Sequence, residues 1–254
     1  MKVRILGCGT SSGVPRLGND WGMCNPAEPR NRRLRVSILI SHGDTNILVD
    51  TGPDIREQLL AADVHSIDAV IWTHDHADHC HGIDDLRQLY HVHSRPVEGF
   101  AREATLASLH HRFDYVFDGR DGYPPIAYGN MLPDEIEIGG IVVRTVDQPH
   151  GPITSAGLRF EADGKSIGYS TDFSHLTDDM KALFEDVDVW IVDALRRRPH
   201  PTHPHLAATV EWIGEVRARR GVLTHMDNSM DYRTLLTELP PRVEPGYDGL
   251  EIEL

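Results

Sequence analysis

The chain has 254 residues, 40% apolar and 25% charged, which suits a globular protein able to form one large α/β domain over residues 1–254. Its formal net charge of −14 argues against binding a nucleic-acid backbone or an anionic membrane, while leaving room for a small phosphorylated substrate at a locally positive site. Cys8, Cys24 and Cys80 form no disulfide framework, no apolar run reaches the length of a membrane span, and the N-terminus has no signal-peptide core, so a cytoplasmic location is expected.

Residues 3–6 read as a short strand, broken by Gly7-Cys8-Gly9-Thr10-Ser11-Ser12-Gly13-Val14-Pro15. Glycines there can bring backbone close to a ligand or a metal loop. Thr10, Ser11 and Ser12 can equally satisfy turn amides, and the lysine of a phosphate loop is absent. Residues 16–33 read as a long loop. Arg30, Arg32, Arg33 and Arg35 make a basic cluster, either solvated or in contact with phosphate at a site mouth. Residues 36–40 and 46–49 are apolar strands joined by a hairpin, and the second ends in Asp50. Asp50 could orient a ligand histidine or simply turn the chain. Residues 54–62 carry Ile55, Leu59 and Leu60 at helical spacing.

The apolar run 69–72 feeds Thr73-His74-Asp75-His76-Ala77-Asp78-His79, followed by a helix over 82–90. His74 and His76 share one side of an extended segment, because side chains there repeat with period two. Asp78 and His79 follow where the chain turns into helix. These four residues converge as ligands from one loop, and imidazole with carboxylate suits zinc, manganese or iron. Residues 102–110 form another helix. Residues 111–134, rich in aromatics, Gly and Pro, read as a substrate wall or as a surface excursion.

Residues 135–138 and 141–146 pair across Gly139-Gly140 and lead to His150. Residues 157–161 and 166–169 pair and lead to Asp172. After a helix over 180–184, strand 187–192 closes at Asp193. A helix over 206–219 precedes the short strand 222–223, which ends at His225. Residues 231–239 are helical, and 250–254 form a terminal strand. His150, Asp172 and His225 thus share one context, each at the C-terminal edge of a strand. The order predicts two mixed β-sheets packed face to face with helices outside, an αββα sandwich.

His74, His76, Asp78 and His79 match the His-x-His-x-Asp-His motif in full, with His150, Asp172 and His225 in the later ligand positions. The chain resembles the metallo-β-lactamase superfamily hydrolases. The stretches 6–15, 31–35, 48–54, 224–226 and 246–252 are similar to the PhnP-like phosphodiesterases of the ribonuclease Z branch. The resemblance implies a dinuclear centre: His74, His76 and His150 on one ion, Asp78, His79 and His225 on the other, and Asp172 bridging. The two divalent ions would be Mn²⁺, Zn²⁺ or iron. It implies hydrolysis of a small or cyclic phosphodiester, with Asp78 at the nucleophile and His203 contacting or protonating the phosphate. His205 is the competing acid, with His200 weaker. Asp75, left over in the loop, supports it rather than coordinating. Dimers are common in that family, which makes a homodimer compatible. The family's separate structural zinc is not expected, because Cys24 is alone in its stretch and Asn228 stands where the late histidine would be. Trp21 and Met23 are expected to pack there instead. The alternative chemistry at the same centre is hydrolysis of a carboxylic ester, lactone or thioester. The charge argues against RNA as substrate, and a full ligand set argues against a metal-bound scaffold.

Overall fold

The computed structural model describes residues 1–254. Its first half contains β1 (Lys2–Gly7), β2 (Ser37–His42), β3 (Thr45–Val49), α1 (Ile55–Ala61), β4 (Ala69–Trp72), α2 (Ala77–Cys80), α3 (Leu86–His93), β5 (Val97–Ala101), α4 (Glu103–Arg112), α5 (Asp114–Asp118) and β6 (Ala127–Met131). The second half contains β7 (Glu135–Ile138), β8 (Ile141–His150), β9 (Ile153–Ala162), β10 (Lys165–Ser170), α6 (Asp178–Phe184), β11 (Val189–Asp193), α7 (Leu206–Glu215), β12 (Gly221–Thr224), α8 (Tyr232–Glu238), β13 (Val243–Pro245) and β14 (Glu251–Glu253). No helix is long and apolar enough to cross a membrane.

Two seven-stranded sheets result, ordered β14-β1-β2-β3-β4-β5-β6 and β13-β12-β11-β10-β9-β8-β7. Each mixes hairpins with parallel strands. β3 through β6 run parallel in the first sheet, and β10 through β13 run parallel in the second. The expected αββα sandwich is therefore the architecture found.

Alternation along the strands decides which layer each side chain joins. Ile38, Ile40, Ile47 and Val49 point into the core between the sheets, where they share a buried cluster with Leu158, Phe160, Ile167 and Ile191. Their neighbours Leu39 and Leu48, with Val70 and Trp72, point the other way, toward Ile55, Leu86, Leu89 and Leu109 of the covering helices. A buried aliphatic side chain of this kind contributes about 1.5–3 kcal/mol. Trp72 is fully buried and donates its indole N–H to Thr51 Oγ1 at 2.8 Å, so its one polar atom is satisfied.

Three local readings change. The helix expected over 82–90 is a 3-10 turn over Ile83–Asp85 running into α3, and a separate short helix, α2, begins inside the histidine motif. The break lies at Gly82, where a Cβ would collide with the Gly52 carbonyl oxygen. Part of the 111–134 excursion is α5 and the edge strand β6, paired parallel to β5. Met23 does not pack inward: it is 76% exposed. Its loop is held instead by polar bonds to Asn228, which donates Nδ2 to Asp20 at 3.1 Å and accepts the Met23 N–H on its carbonyl at 2.7 Å.

Candidate dinuclear metal centre

The chemistry-bearing residues gather at the C-terminal ends of strands from both sheets. β3 ends before Asp50, β4 before the histidine motif, β8 in His150, β10 before Asp172, β11 in Asp193 and β12 before His225. Asp50, Asp172 and His225 each turn sharply off their strands with left-handed φ values of 64°, 55° and 56°. After Trp72 the chain bends at Thr73, is extended at His76 and then coils into α2, which carries Asp78 and His79. Gly52 allows the neighbouring loop to nest against this turn, since a Cβ there would strike the Asp78 carbonyl oxygen. A hydrogen bond from Ala156 N to Thr73 O, 2.9 Å, ties the second sheet to the start of the motif.

Two groups of donor atoms face each other across Asp172. One contains His74, His76, His150 and Asp172, the other Asp78, His79 and His225, with the donor atoms in each group within 4.8 Å of one another. Asp172 divides its oxygens between them. Oδ1 lies 3.8 Å from His74 Nε2 and 3.7 Å from His150 Nε2. Oδ2 lies 3.2 Å from His79 Nε2 and 3.5 Å from His225 Nε2. Asp78 Oδ2 approaches the same two rings at 3.5 and 3.6 Å.

The donors fit divalent cations. Nε2 of His74, His79 and His225 is buried with no hydrogen-bond partner. An orphaned buried polar atom costs about 1–3 kcal/mol, and three aimed into one space are explained by a cation there. The local charge agrees. Burial alone would raise the Asp78 carboxyl, but His79 and His225 outweigh it and hold it far below the usual range. Burial would lower His225, yet Asp172, Asp193 and Asp78 carry it up to about 9. Burial pushes the His74 and His150 imidazoles below their usual range. Two His/Asp clusters sharing one carboxylate suggest a dinuclear metal site.

The residues around this group orient it. Asp50 is fully buried and accepts from His79 Nδ1 at 2.7 Å, from Thr73 N at 2.8 Å and from Thr73 Oγ1 at 2.9 Å. With Nδ1 committed, His79 must present Nε2 to the cluster. His150 Nδ1 donates to the Thr202 carbonyl at 3.0 Å, which fixes that ring the same way. Asp75 touches no ligand histidine. It accepts from Ser108 Oγ at 2.6 Å and pairs with Arg112 at 3.2 Å, anchoring the loop to α4.

His203 enters the centre and His205 does not. The His203 ring stacks on His225 at 4.9 Å with an 8° interplanar angle, and its Nε2 lies 3.8 Å from Asp172 Oδ1. His205 caps α7, where its ring accepts the Ala208 N–H at 3.4 Å. His200 lies beyond His203, ring centroids 5.1 Å apart, and accepts the Thr202 N–H at 3.3 Å. Asp193 is the residue that sequence reasoning missed. Fully buried, it accepts from His203 Nδ1 at 2.8 Å and from Asp172 N at 3.1 Å. Its signal was the one that marked Asp50, an aspartate closing an apolar strand.

Residues 45–226 match the family model described as the β-lactamase superfamily domain. The chain belongs to the metallo-β-lactamase superfamily. Among solved structures it is similar to a diphosphatase of the PhnP family, with 33% identity, a TM-score of 0.91, and coverage of 100% of this chain and 96% of that one. That identity and coverage place it with the PhnP family. Zinc-bound PqqB from Methylobacterium extorquens shares the fold at 22% identity and a TM-score of 0.80, covering 100% of both chains. Among curated proteins, an octanoyltransferase of Porphyromonas gingivalis is 31% identical over 99% of this chain and 51% of its own length. The chain therefore spans about half of that relative. Coenzyme PQQ synthesis protein B of Methylorubrum populi is 28% identical over 76% of this chain and 72% of that protein.

Proposed function

We propose that this chain is a metal-dependent phosphodiesterase, a single-domain hydrolase of small or cyclic phosphodiesters. The observation that carries the reading is Asp172, with one oxygen turned to each histidine cluster and His203 held by Asp193 at their edge. The 33% identity to a PhnP-family diphosphatase supports phosphoryl chemistry. His74, His76 and His150 would hold one divalent ion, Asp78, His79 and His225 the other, and Asp172 both. Zn²⁺ and Mn²⁺ suit these donors, and iron is the next candidate. Bound there, the ions would acidify a water and offset negative charge on the phosphoryl oxygens.

The chain's own groups perform the rest. Asp78 Oδ2, beside His79 and His225, accepts a hydrogen bond from the attacking water and aims it. As the new O–P bond forms, the opposite P–O bond breaks. His203 Nε2 delivers a proton to the leaving oxygen, while Asp193 holds the ring through Nδ1 and steadies its positive form. Asp50 and the Thr202 carbonyl keep His79 and His150 from rotating. The formal charge of −14 favours a small substrate over RNA, in a cytoplasmic protein that functions away from membranes and is compatible with a homodimer.

The test is a panel of bis(p-nitrophenyl) phosphate, a cyclic nucleotide, a lactone and a thioester, with added Mn²⁺ or Zn²⁺. Turnover of the phosphodiesters is expected. Turnover confined to the lactone or thioester refutes the reading and assigns acyl hydrolysis to the same centre.

A further inference from the structure

Gln148, Ser155, Ser170 and Thr171 have no part in the mechanism above, yet all are buried beside Asp172. Gln148 on β8 and Ser155 on β9 face each other as a cross-strand pair, and Gln148 lies two residues before His150. A methionine or leucine would fill the space of Gln148 and need no partner. A polar side chain placed there instead must find hydrogen bonds, because burial without them is costly.

The protons of this group can be followed one by one. Ser170 Oγ donates to Gln148 Oε1, which fixes the way the amide points. Gln148 Nε2 then donates to Ser155 Oγ at 2.9 Å and to the Thr171 carbonyl at 3.0 Å. Having accepted that bond, Ser155 gives its own proton to the Asp172 carbonyl at 2.8 Å. Thr171 Oγ1 donates to Asp172 Oδ2 at 2.6 Å. Gly157 leaves room for the amide, since a Cβ there would stand 2.6 Å from Gln148 Oε1.

All of these bonds end on one residue and its neighbour. Asp172 holds a left-handed φ of 55°, a conformation an L-residue keeps only when its surroundings fix it. Its N–H goes to Asp193, its carbonyl to Ser155 and the preceding carbonyl to Gln148. The same strand pair reaches the other ligand segments. Ala156 N, next to Ser155, donates to Thr73 O at the start of the histidine motif, and Ser174 N donates to Pro149 O beside His150. Gln148 and Ser155 thus sit where the segments bearing His74, His150 and Asp172 are joined.

We propose that Gln148 and Ser155 are positioning residues that hold Asp172 in its bridging pose and thereby set the coupling between the two metal ions. This rests on the dinuclear reading of the centre. Asp172 turns one oxygen to each histidine cluster, so a shift of its backbone disturbs both ions at once. That separates this pair from Asp50, which supports the His79 cluster alone.

The protein loaded with Mn²⁺ provides the test. The wild type is expected to bind two ions and to show the exchange-coupled electron paramagnetic resonance signal of a carboxylate-bridged pair. Gln148→Met keeps the side-chain volume and removes the donors, and Ser155→Ala is the milder change. Each should weaken both ions by about 10–100-fold in chelator competition and convert much of the coupled signal to that of isolated Mn²⁺. With metal saturating, kcat on bis(p-nitrophenyl) phosphate should fall by about tenfold while KM stays within about twofold. Val143→Ala, a core truncation on the same strand, should lower Tm and leave both affinities and the coupled signal unchanged, which distinguishes positioning from loss of stability. If Gln148→Met does not fold, Ser155→Ala carries the same expectations. Wild-type affinities with an unaltered signal in the variants, or weakening confined to one ion, would overturn the inference. Two uncoupled ions in the wild type would remove Asp172 as the bridge, and the inference with it. If the coupled pair forms and no diester is cleaved, the phosphodiesterase reading fails, while the affinities and the signal still decide the role of Gln148 and Ser155.

Discussion

Replacing Asp50 with Ala is a stringent test of how the centre is held. Asp50 lies outside the proposed ligand set but receives three donors in a fully buried position: His79 Nδ1, Thr73 N and Thr73 Oγ1. Two consequences separate. The His79 ring loses the partner that fixes its orientation, and loss of such support costs roughly 10–100-fold in metal affinity. By the tenfold-per-1.4 kcal/mol relation that is about 1.4–2.8 kcal/mol of binding. The buried Thr73 N–H is also left without an acceptor, which costs about 1–3 kcal/mol of folding stability with or without metal. The two can be measured apart. Chelator-competition titration of Zn²⁺ gives the affinity, and urea unfolding in excess chelator gives the stability of the metal-free fold. The expected result is a fall in both, with the His74 cluster less affected than the His79 cluster. Asp50→Asn should recover part of the stability, since its carbonyl can still accept the Thr73 N–H. If Asp50→Ala binds two ions as tightly as the wild type, the orienting role is wrong.

His203→Ala should reduce phosphodiester turnover by about 10²–10⁴-fold with both ions still bound. Equal loss of metal, read by elemental analysis, would remove the acid role. Asp193→Asn should lower turnover in the same direction, with both ions still bound, because His203 Nδ1 loses a charged acceptor. Asp248 gives a pH effect away from the centre. Burial raises its carboxyl to about 7 although it accepts the Leu34 and Cys8 N–H groups at 2.7 and 3.1 Å. The folded chain then holds a proton between about pH 4 and pH 7 that the unfolded chain releases, so this residue's contribution to stability falls as pH rises through that window. The urea stability of the wild type relative to Asp248→Asn should therefore drop by up to about 3 kcal/mol from pH 5 to pH 8, at about 1.4 kcal/mol per unit. A constant difference would show that the carboxyl is ionised throughout. Stripping the ions with chelator should lower Tm, and restoring free metal to about 1,000 times its Kd should return about 4 kcal/mol. A Tm indifferent to metal would argue that the clusters bind none.

The centre was legible wherever its residues sit in a run or at the end of an apolar strand. His74 through His79 are contiguous, and the period-two geometry of an extended segment already brings two of them together. His150, Asp172 and His225 each close a strand of buried Val, Ile or Leu. Asp193 closes one too, but its meaning depends on His203 folding back across a proline-rich loop, a contact that no local spacing encodes. Asp75 likewise acquires its partners from α4, more than thirty residues on. β5 and β6 were missed because Val97-Glu98-Gly99-Phe100-Ala101 and Ala127-Tyr128-Gly129-Asn130-Met131 lack an apolar run. They become strands by parallel pairing, β5 onto β4 and β6 onto β5, with Gly99 leaving room for the Trp72 ring. His203 is the proposed acid rather than His205 because the His205 ring caps α7, a contact that the spacing of the two histidines does not encode.

The left-handed turns at Asp50, Asp172 and His225 set a limit on improving this protein. An L-residue in that conformation costs roughly 1–2 kcal/mol that glycine does not incur. Random mutagenesis selected for thermal resistance alone, without metal, would thus be drawn toward glycine at Asp172 and His225, whereas at Asp50 the buried Thr73 donors oppose the change. Each change would ease the backbone while erasing a donor or its support. Robustness and chemistry compete at those two codons, so a more durable variant of this enzyme has to be sought elsewhere in the chain.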